Sequence, residues 1–285
     1  MVIPMPLAPG LTLRPYTDQD RSTVLDLINA DRLPGQPLVD RTMLAEALAG
    51  RSQIDAGWWA ELQSPTTTVA TDPSGTVVGV LSCAVRPEDR TGLILWTHCG
   101  KTPEAARALV QHALTALADC HAWEAYQFAS ALTLGLEGLP VTHRPETHAA
   151  LTNAGFAARD EWRYMRRPLP ATGLSCLETA VEVVPEGWRL TAGEEGRVQA
   201  QATVGLSGTT GVLWWIGVEQ AARGHGLGRA MLGSALDFLA ARGAYEAILY
   251  VDDASGDQEQ DRTAANALYE SAGFTQVDRL FSYRK

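Results

Sequence analysis

The chain has 285 residues, enough for two domains of ordinary size. Apolar residues make up 46% and charged residues 20%, the composition of a folded globular protein rather than a disordered one. A formal net charge of −10 argues against nucleic acid or an anionic membrane surface as the main partner and suits a cationic small molecule.

The proline-rich start MVIPMPLAPGLTLRP has neither the basic head nor the apolar core of a secretion signal, and no apolar run approaches the length of a membrane span. Cys83, Cys99, Cys120 and Cys176 are scattered without close pairing, which reads as reduced thiols in a cytoplasmic protein. His98-Cys99 and Cys120-His121 lack the spacing of zinc ligands, so no metal is expected.

Helical patterns run from Asp18 to Asp31 and from Asp40 to Leu48. Residues 76 to 99 read as two strands around a turn, ending in a Trp-containing apolar run. Then follow an amphipathic helix (PEAARALVQHALTALADC), a strand (WEAYQFASALTL), a short helix (THAALTNAGF) and a strand with basic residues (EWRYMRR). The stretch PLPATGLSC, residues 168 to 176, is proline- and small-residue-rich and marks a boundary. Beyond it CLETAVEVVPEGWRLTAGEEGRV reads directly as strands and turns, with no opening helices.

The plan then repeats. RVQAQATVGLSGTTGVLWWIGV is again two strands ending in a Trp-rich run, followed by the helix GRAMLGSALDFLAARG with Gly243 as its C-terminal stop. YEAILYVDD, ANALYESAGF and RLFSYRK match the last three elements of the first half, with Gly273 on Gly155. Repetition of a domain-sized unit implies duplication, with domains at residues 1–170 and 171–285.

Between strand and helix of the second copy lie Arg223, Gly224, His225, Gly226, Leu227, Gly228 and Arg229. Alternating glycines there let successive backbone N–H groups and a helix N-terminus face one spot, an anion site suited to phosphate or pyrophosphate. A P-loop would need Gly-Lys-Ser/Thr, whereas Gly228 is followed by Arg229 and Ala230. A dinucleotide fold would need more strand–helix units than the remaining chain provides. The pyrophosphate and pantetheine of coenzyme A suit a single strand–loop–helix.

Arg223-x-x-Gly226-x-Gly228 after WWIGV, with ALYESAGF downstream, resembles the acyl-CoA-binding core of the GNAT N-acyltransferase superfamily. The match covers most of residues 196 to 285; the first half fits only in outline, as in tandem GNAT proteins of the mycothiol synthase type. The resemblance implies two tandem α/β domains, each a mixed, mostly antiparallel twisted sheet flanked by helices. It implies an acyltransferase that moves an acetyl or other short acyl group from acyl-CoA to a small-molecule amine by direct attack on the thioester, with no metal. A non-catalytic acyl-CoA-binding or scaffolding protein is the alternative. A homodimer is compatible with either.

Carried over residue by residue, the amides of Arg223 to Arg229 would cradle the pyrophosphate. The edge of Ile216, Gly217 and Val218 would pair with the pantetheine arm, and the Val218 N–H would polarise the thioester carbonyl. Tyr269 would protonate the leaving thiolate. Three features depart from the pattern. The asparagine common seven residues before the tyrosine is Arg262 here, leaving Asn266, one helical turn closer, as the candidate cofactor contact. The strand GVLWWIGV has no carboxylate to act as base; Glu219 is the nearest acid, with Asp252 further off. DDASGDQEQD, residues 252 to 261, is an acidic insert. In the first half Cys99 aligns with Val218, the loop GKTPEAAR is shorter, Pro103 lacks an N–H, and Leu151 stands at the tyrosine position. The first copy is therefore expected to keep the fold and lose the cofactor. With its opening helices missing, the second copy is expected to expose an apolar face.

Overall fold

The computed structural model describes residues 10–52, 54–133, 138–194, 196–252 and 262–285. It forms two compact units, one of residues 1–33, 38–162 and 278–285, the other of residues 34–37 and 163–277. The boundary expected at residues 168 to 176 lies inside the second unit.

The first unit opens with β1 (Thr12–Pro15), α1 (Arg21–Ala30), α2 (Arg41–Leu48) and α3 (Ala56–Ala60). It continues with β2 (Thr66–Thr71), β3 (Val77–Arg86), β4 (Thr91–His98), α4 (Pro103–Ala116), β5 (Ala122–Ala125), β6 (Leu139–Pro140) and α5 (Pro145–Asn153). Strand β7 (Ala157–Pro168) starts in this unit and finishes in the second. Pairing is antiparallel along β1, β2, β3 and β4, then parallel between β4 and β5. Beside β5 lies the end of the last strand of the chain, with Tyr283 opposite Ala125.

The second unit contains β8 (Ala180–Val184), β9 (Gly187–Glu194), β10 (Arg197–Ser207), β11 (Thr210–Val218), α6 (Leu227–Ala241), β12 (Glu246–Asp252), α7 (Arg262–Ser271) and the start of β13 (Thr275–Arg284). Its pairing copies the first: antiparallel from β8 through β11, then parallel between β11 and β12. Each unit is thus a mixed, mostly antiparallel sheet with helices packed on it.

The units differ where the sequence differs. In the first, residues 16–65 stand between β1 and β2 and carry α1 to α3. In the second, β8 turns into β9 through Pro185 and Glu186 alone, with Val184 opposite Gly187. Strand β3 is apolar on both faces because both are covered. Leu81 and Cys83 meet Leu109 and Val110 of α4, while Val80 and Ala84 belong with Val24, Ile28, Leu44 and Trp59. Strand β10 instead alternates. Ala200, Ala202 and Val204 pack under Met231, Leu232 and Leu236 of α6, while Gln201 and Thr203 point the other way.

That alternation makes the side of the second sheet opposite α6 mixed rather than wholly apolar. The side of the second sheet opposite α6 carries Glu182 paired with Arg189 at 3.4 Å, then Thr191, Gln201 and Thr203. Trp215, 49% exposed and opposite Thr203, shares this side with Val212 and with Trp214, whose indole lies over Gly205.

A second correction concerns β5. The apolar run WEAYQFASALTL reads as one long strand, yet the strand stops at Ala125. Tyr126 adopts a left-handed backbone (φ 56°), and the chain turns away to bring Phe128 against Trp59. Its counterpart β12 runs on to Asp252.

Candidate active site

Strand β11 ends at Val218, one tight turn covers Gln220–Ala222, and α6 begins at Leu227. Gly224 (φ 82°) and Gly226 (φ 80°) both sit in the left-handed region, which is why the loop needs glycine at these positions. A Cβ added at either would meet nothing within 4 Å, so the space before the loop is open. The first amide of α6 bonded within the helix is that of Ala230, to the Gly226 carbonyl at 3.1 Å. The amides of Leu227, Gly228 and Arg229 therefore lack helical acceptors and carry the positive end of the dipole. The Arg223 N–H is spent on the Gln220 carbonyl at 3.3 Å, so the open donors start beyond it.

Gly228 is where three elements meet. A Cβ there would stand 3.6 Å from Val218 and 3.8 Å from Leu268. The end of β11, the first turn of α6 and the turn of α7 that carries Tyr269 thus converge on one point. The arginines are tied locally: Arg223 Nε donates to the Val218 carbonyl (3.1 Å) and Arg229 Nη1 to Ser271 Oγ (2.8 Å). His225 is exposed and Leu227 half-buried.

Strand β11 pairs with β12 only from Thr210 to Val212. At Trp214 a bulge shifts the register against β10, so that Thr203 faces Trp215 and Val204 faces Leu213. Beyond Val212 the two parallel strands part, and the β12 side of Ile216, Gly217 and Val218 becomes an open strand edge. Such an edge can take one more extended chain through its backbone groups.

Tyr269 is 8% exposed, within the core that also includes Ile216, Val218 and Leu268. Its ring meets Phe274 edge-on with centroids 5.9 Å apart. Burial pushes its hydroxyl up to about 12, so it stays protonated across the physiological range. Asn266 lies half-buried on the same helix. Glu219 is exposed, with its N–H on the Gln199 carbonyl at 2.9 Å. Of the acidic insert, residues 253–261 lie outside the described residues, as do the side chains of Asp252 and Arg262.

The first unit shows the same scaffold with the opening filled. Its bulge falls at Leu95, four residues before Cys99, as Trp214 falls four before Val218. Strands β4 and β5 part after Ile94 and Ala125. Arg144 Nη1 donates to the Thr97 carbonyl at 3.0 Å and Tyr126 Oη at 3.4 Å, at the position matching Ile216. Helix α4 starts directly at Pro103. Leu151 is fully buried among α4 side chains.

Sequence patterning did not reveal the two bulges, the two-residue turn before β9 or the exposed Trp215. It also missed the segment of residues 174–177 that straps α6. There Ser234 Oγ accepts from the Leu177 N–H (2.7 Å), and Gly233 admits the Ser175 carbonyl. Among the described residues, no group of three or more His, Cys, Asp or Glu could hold a metal ion, and no helix is long and apolar enough to cross a membrane.

Residues 157–274 match the model of the acetyltransferase (GNAT) family. The mycothiol acetyltransferase of Thermobispora bispora is 32% identical over 228 residues, covering 73% of this chain and 70% of that protein. The chain belongs to the GNAT acetyltransferase family. It is an N-acetyltransferase, and the family uses acetyl-CoA. A second mycothiol acetyltransferase, from Beutenbergia cavernae, is 46% identical over 68 residues, 24% of this chain and 20% of that one.

Two solved structures share the whole fold at low identity. A tandem GNAT protein from the clavulanic acid biosynthesis pathway superposes with a TM-score of 0.64 at 16% identity, covering 96% of this chain and 98% of that one. A GCN5-related N-acetyltransferase from Sphaerobacter thermophilus gives 0.63 at 15% identity, covering 98% and 96%.

Proposed function

We propose that residues 171–285, completed by the end of β7, move an acetyl or other short acyl group from acyl-CoA to a primary amine. On this reading residues 1–170 are a copy that kept the fold without the cofactor. The observation that carries the proposal is the convergence at Gly228 of the end of β11, a glycine loop with unspent amides and the α7 turn, at Leu268, that also bears the protonated Tyr269.

The residues fit acyl-CoA. The amides from Gly224 to Arg229 would hold the pyrophosphate in the open space beside Gly224 and Gly226; Arg223 and Arg229 would leave Val218 and Ser271 to add charge-assisted contacts. The edge of Ile216, Gly217 and Val218 would bond the pantetheine amides as a further strand does, with the Val218 N–H on the thioester oxygen. When bound, the cofactor supplies an activated acyl group. The amine adds to that carbonyl, and Tyr269 donates a proton toward the departing sulfur. With no carboxylate on β11, the amine proton leaves to water. Asn266, one turn before Tyr269, would contact the cofactor from α7.

The acceptor proposed is a small amine, cationic before it loses its proton, as the acidic balance of the chain suits. The mycothiol acetyltransferase relatives favour a cysteinyl amine of the kind met in mycothiol synthesis. The thiols, unpaired among the described residues, suit a reducing cytoplasm.

The test is thiol release from acetyl-CoA across a panel of cysteinyl, amino-sugar and peptide amines, with mass spectrometry of each amine. Amine-dependent release with gain of one acetyl group supports the proposal. Release no faster than hydrolysis with every amine, despite acetyl-CoA binding, would leave a cofactor-binding scaffold instead.

A further inference from the structure

The bulge in β11 turns Trp214 and Trp215 to the same side of the second sheet, the side opposite α6. They lean in different directions. Trp214 leans away from the glycine loop: its indole lies over Gly205, and its Nε1 donates to the Glu186 carbonyl at 3.1 Å. Trp215 leans toward the loop. A Cβ added at Gly217 would stand 2.3 Å from its Cη2, 2.5 Å from its Cζ2 and 3.1 Å from its Cζ3. The far end of the six-membered ring therefore covers Gly217, next to Val218, while Trp215 remains 49% exposed.

The residues assigned to the cofactor lie toward the other side. Ile216, Val218, Leu268 and Tyr269 all pack in the core built around α6. A co-substrate held from there leaves its acyl carbon approachable from the side of Trp215. On that side β12 is already covered. Ile248 and Tyr250 alternate with Leu249 and Val251, which pack in the α6 core, so they face the opposite way. Residues 34–37, which belong to this unit, close over Ile248. A Cβ at Gly35 would stand 2.8 Å from Ile248 Cγ2, and the Pro34 carbonyl accepts from Tyr164 Oη at 2.9 Å. The β11 flank is the open one. Trp215 stands there, with Thr203 opposite it and Gln201 opposite Gly217.

We propose that Trp215 binds the acceptor and sets its specificity. The amine approaches Val218 from the side opposite α6, with its organic stem lying along the Trp215 indole. An exposed aromatic ring that runs up to the reacting position gains by being covered. Acceptors with an apolar or aromatic stem are therefore favoured over short amines that carry the same reacting nitrogen. Glycine at position 217 suits this role, since any side chain there would push the ring off the strand. The inference rests on acyl transfer by this unit and adds the direction of the acceptor's approach and the residue that selects it.

The experiment compares cysteinamide with cysteine benzylamide, and glycinamide with glycine benzylamide, in wild type and in Trp215→Ala. Each pair shares its reacting nitrogen and differs only in the stem. In the wild type kcat/KM for the benzylamides should exceed that for the short amides by about tenfold or more, through KM. Trp215→Ala should abolish that preference with little change in acetyl-CoA affinity, and Trp215→Phe should keep part of it. A merely structural role for Trp215 would slow all four amines alike and leave the preference standing. Calorimetry of cysteine benzylamide into protein saturated with coenzyme A, which has no acyl group to transfer, gives a second readout. Binding is expected in the wild type and should be about tenfold weaker in Trp215→Ala. No preference in the wild type, or one that survives Trp215→Ala, overturns the inference while leaving acyl transfer intact. No amine binding by the wild type overturns it as well. Binding that depends on Trp215 without transfer to any amine would keep the acceptor platform and refute the transfer.

Discussion

Tyr269→Phe keeps the ring against Phe274 and removes only the hydroxyl. The structure limits what that hydroxyl can contribute. Burial raises it to about 12, whereas an ordinary thiol titrates at about 8.5. Complete proton transfer to the departing thiolate is therefore uphill by about 3.5 pKa units, or about 5 kcal/mol. Tyr269 should act mainly by donating a hydrogen bond to the sulfur as charge develops. A hydrogen bond to a charged group is worth about 1.5–3 kcal/mol, so kcat should fall about tenfold to a hundredfold, with KM for acetyl-CoA little changed. The pH profile sharpens the test. The donating form is lost only as pH rises through about 12, so this group should give no falling alkaline limb below about pH 11. The assay is thiol release under single-turnover conditions with a productive amine. A variant that turns over at the wild-type rate, or a wild-type limb near pH 9 that vanishes in the variant, would refute the assignment.

Other consequences can be measured on the folded protein. Gly233→Ala would bring a Cβ to 2.1 Å from the Ser175 carbonyl and should displace the strap over α6, destabilising the protein by about 1–3 kcal/mol in denaturant titrations. The fragment 171–285 should fail to fold: it loses Arg163–Pro168 from its own unit, and its residues 278–285 lose β5 and β6; a cooperative thermal transition in the fragment would contradict this. Hydrogen bonds from Arg14 hold Asp20 at about 2, below its ordinary 3.8. Its contribution to stability is present above pH 3.8 and is lost as pH falls toward 2, so Asp20→Asn should lower Tm at pH 7 but hardly at pH 2.

The fold was legible because it is said twice. The helices from Asp18 and Asp40, the paired strands and the Ala-Gly-Phe endings all carry local periodicity, and the structure has them in the order read. What escaped depends on contacts distant in sequence. Nothing local marks the bulges at Leu95 and Trp214, which arise from pairing with β3 and β10. WEAYQFASALTL carries a strand pattern, and only the packing of Phe128 on Trp59 turns it aside after four residues. The alternation Gln199-Ala200-Gln201-Ala202 marks β10 as a strand with one polar side. At the site, the glycine spacing announced the loop. That Arg223 spends its own N–H on Gln220, and that Arg144 and Tyr126 bond the Thr97 carbonyl at the matching place in the first unit, depends on contacts that no local pattern encodes.

The central claim is that the glycine loop of the second unit alone holds acyl-CoA. It is tested most directly by titrating acetyl-CoA into the full chain and into Gly226→Asp by calorimetry. The variant should fold, since a Cβ at Gly226 meets nothing and the left-handed backbone costs an aspartate about 1–2 kcal/mol at most. Its carboxylate would stand where the pyrophosphate binds. The account predicts one site per chain in the wild type and none in the variant. Two equivalent sites, or affinity unchanged by the substitution, would contradict it.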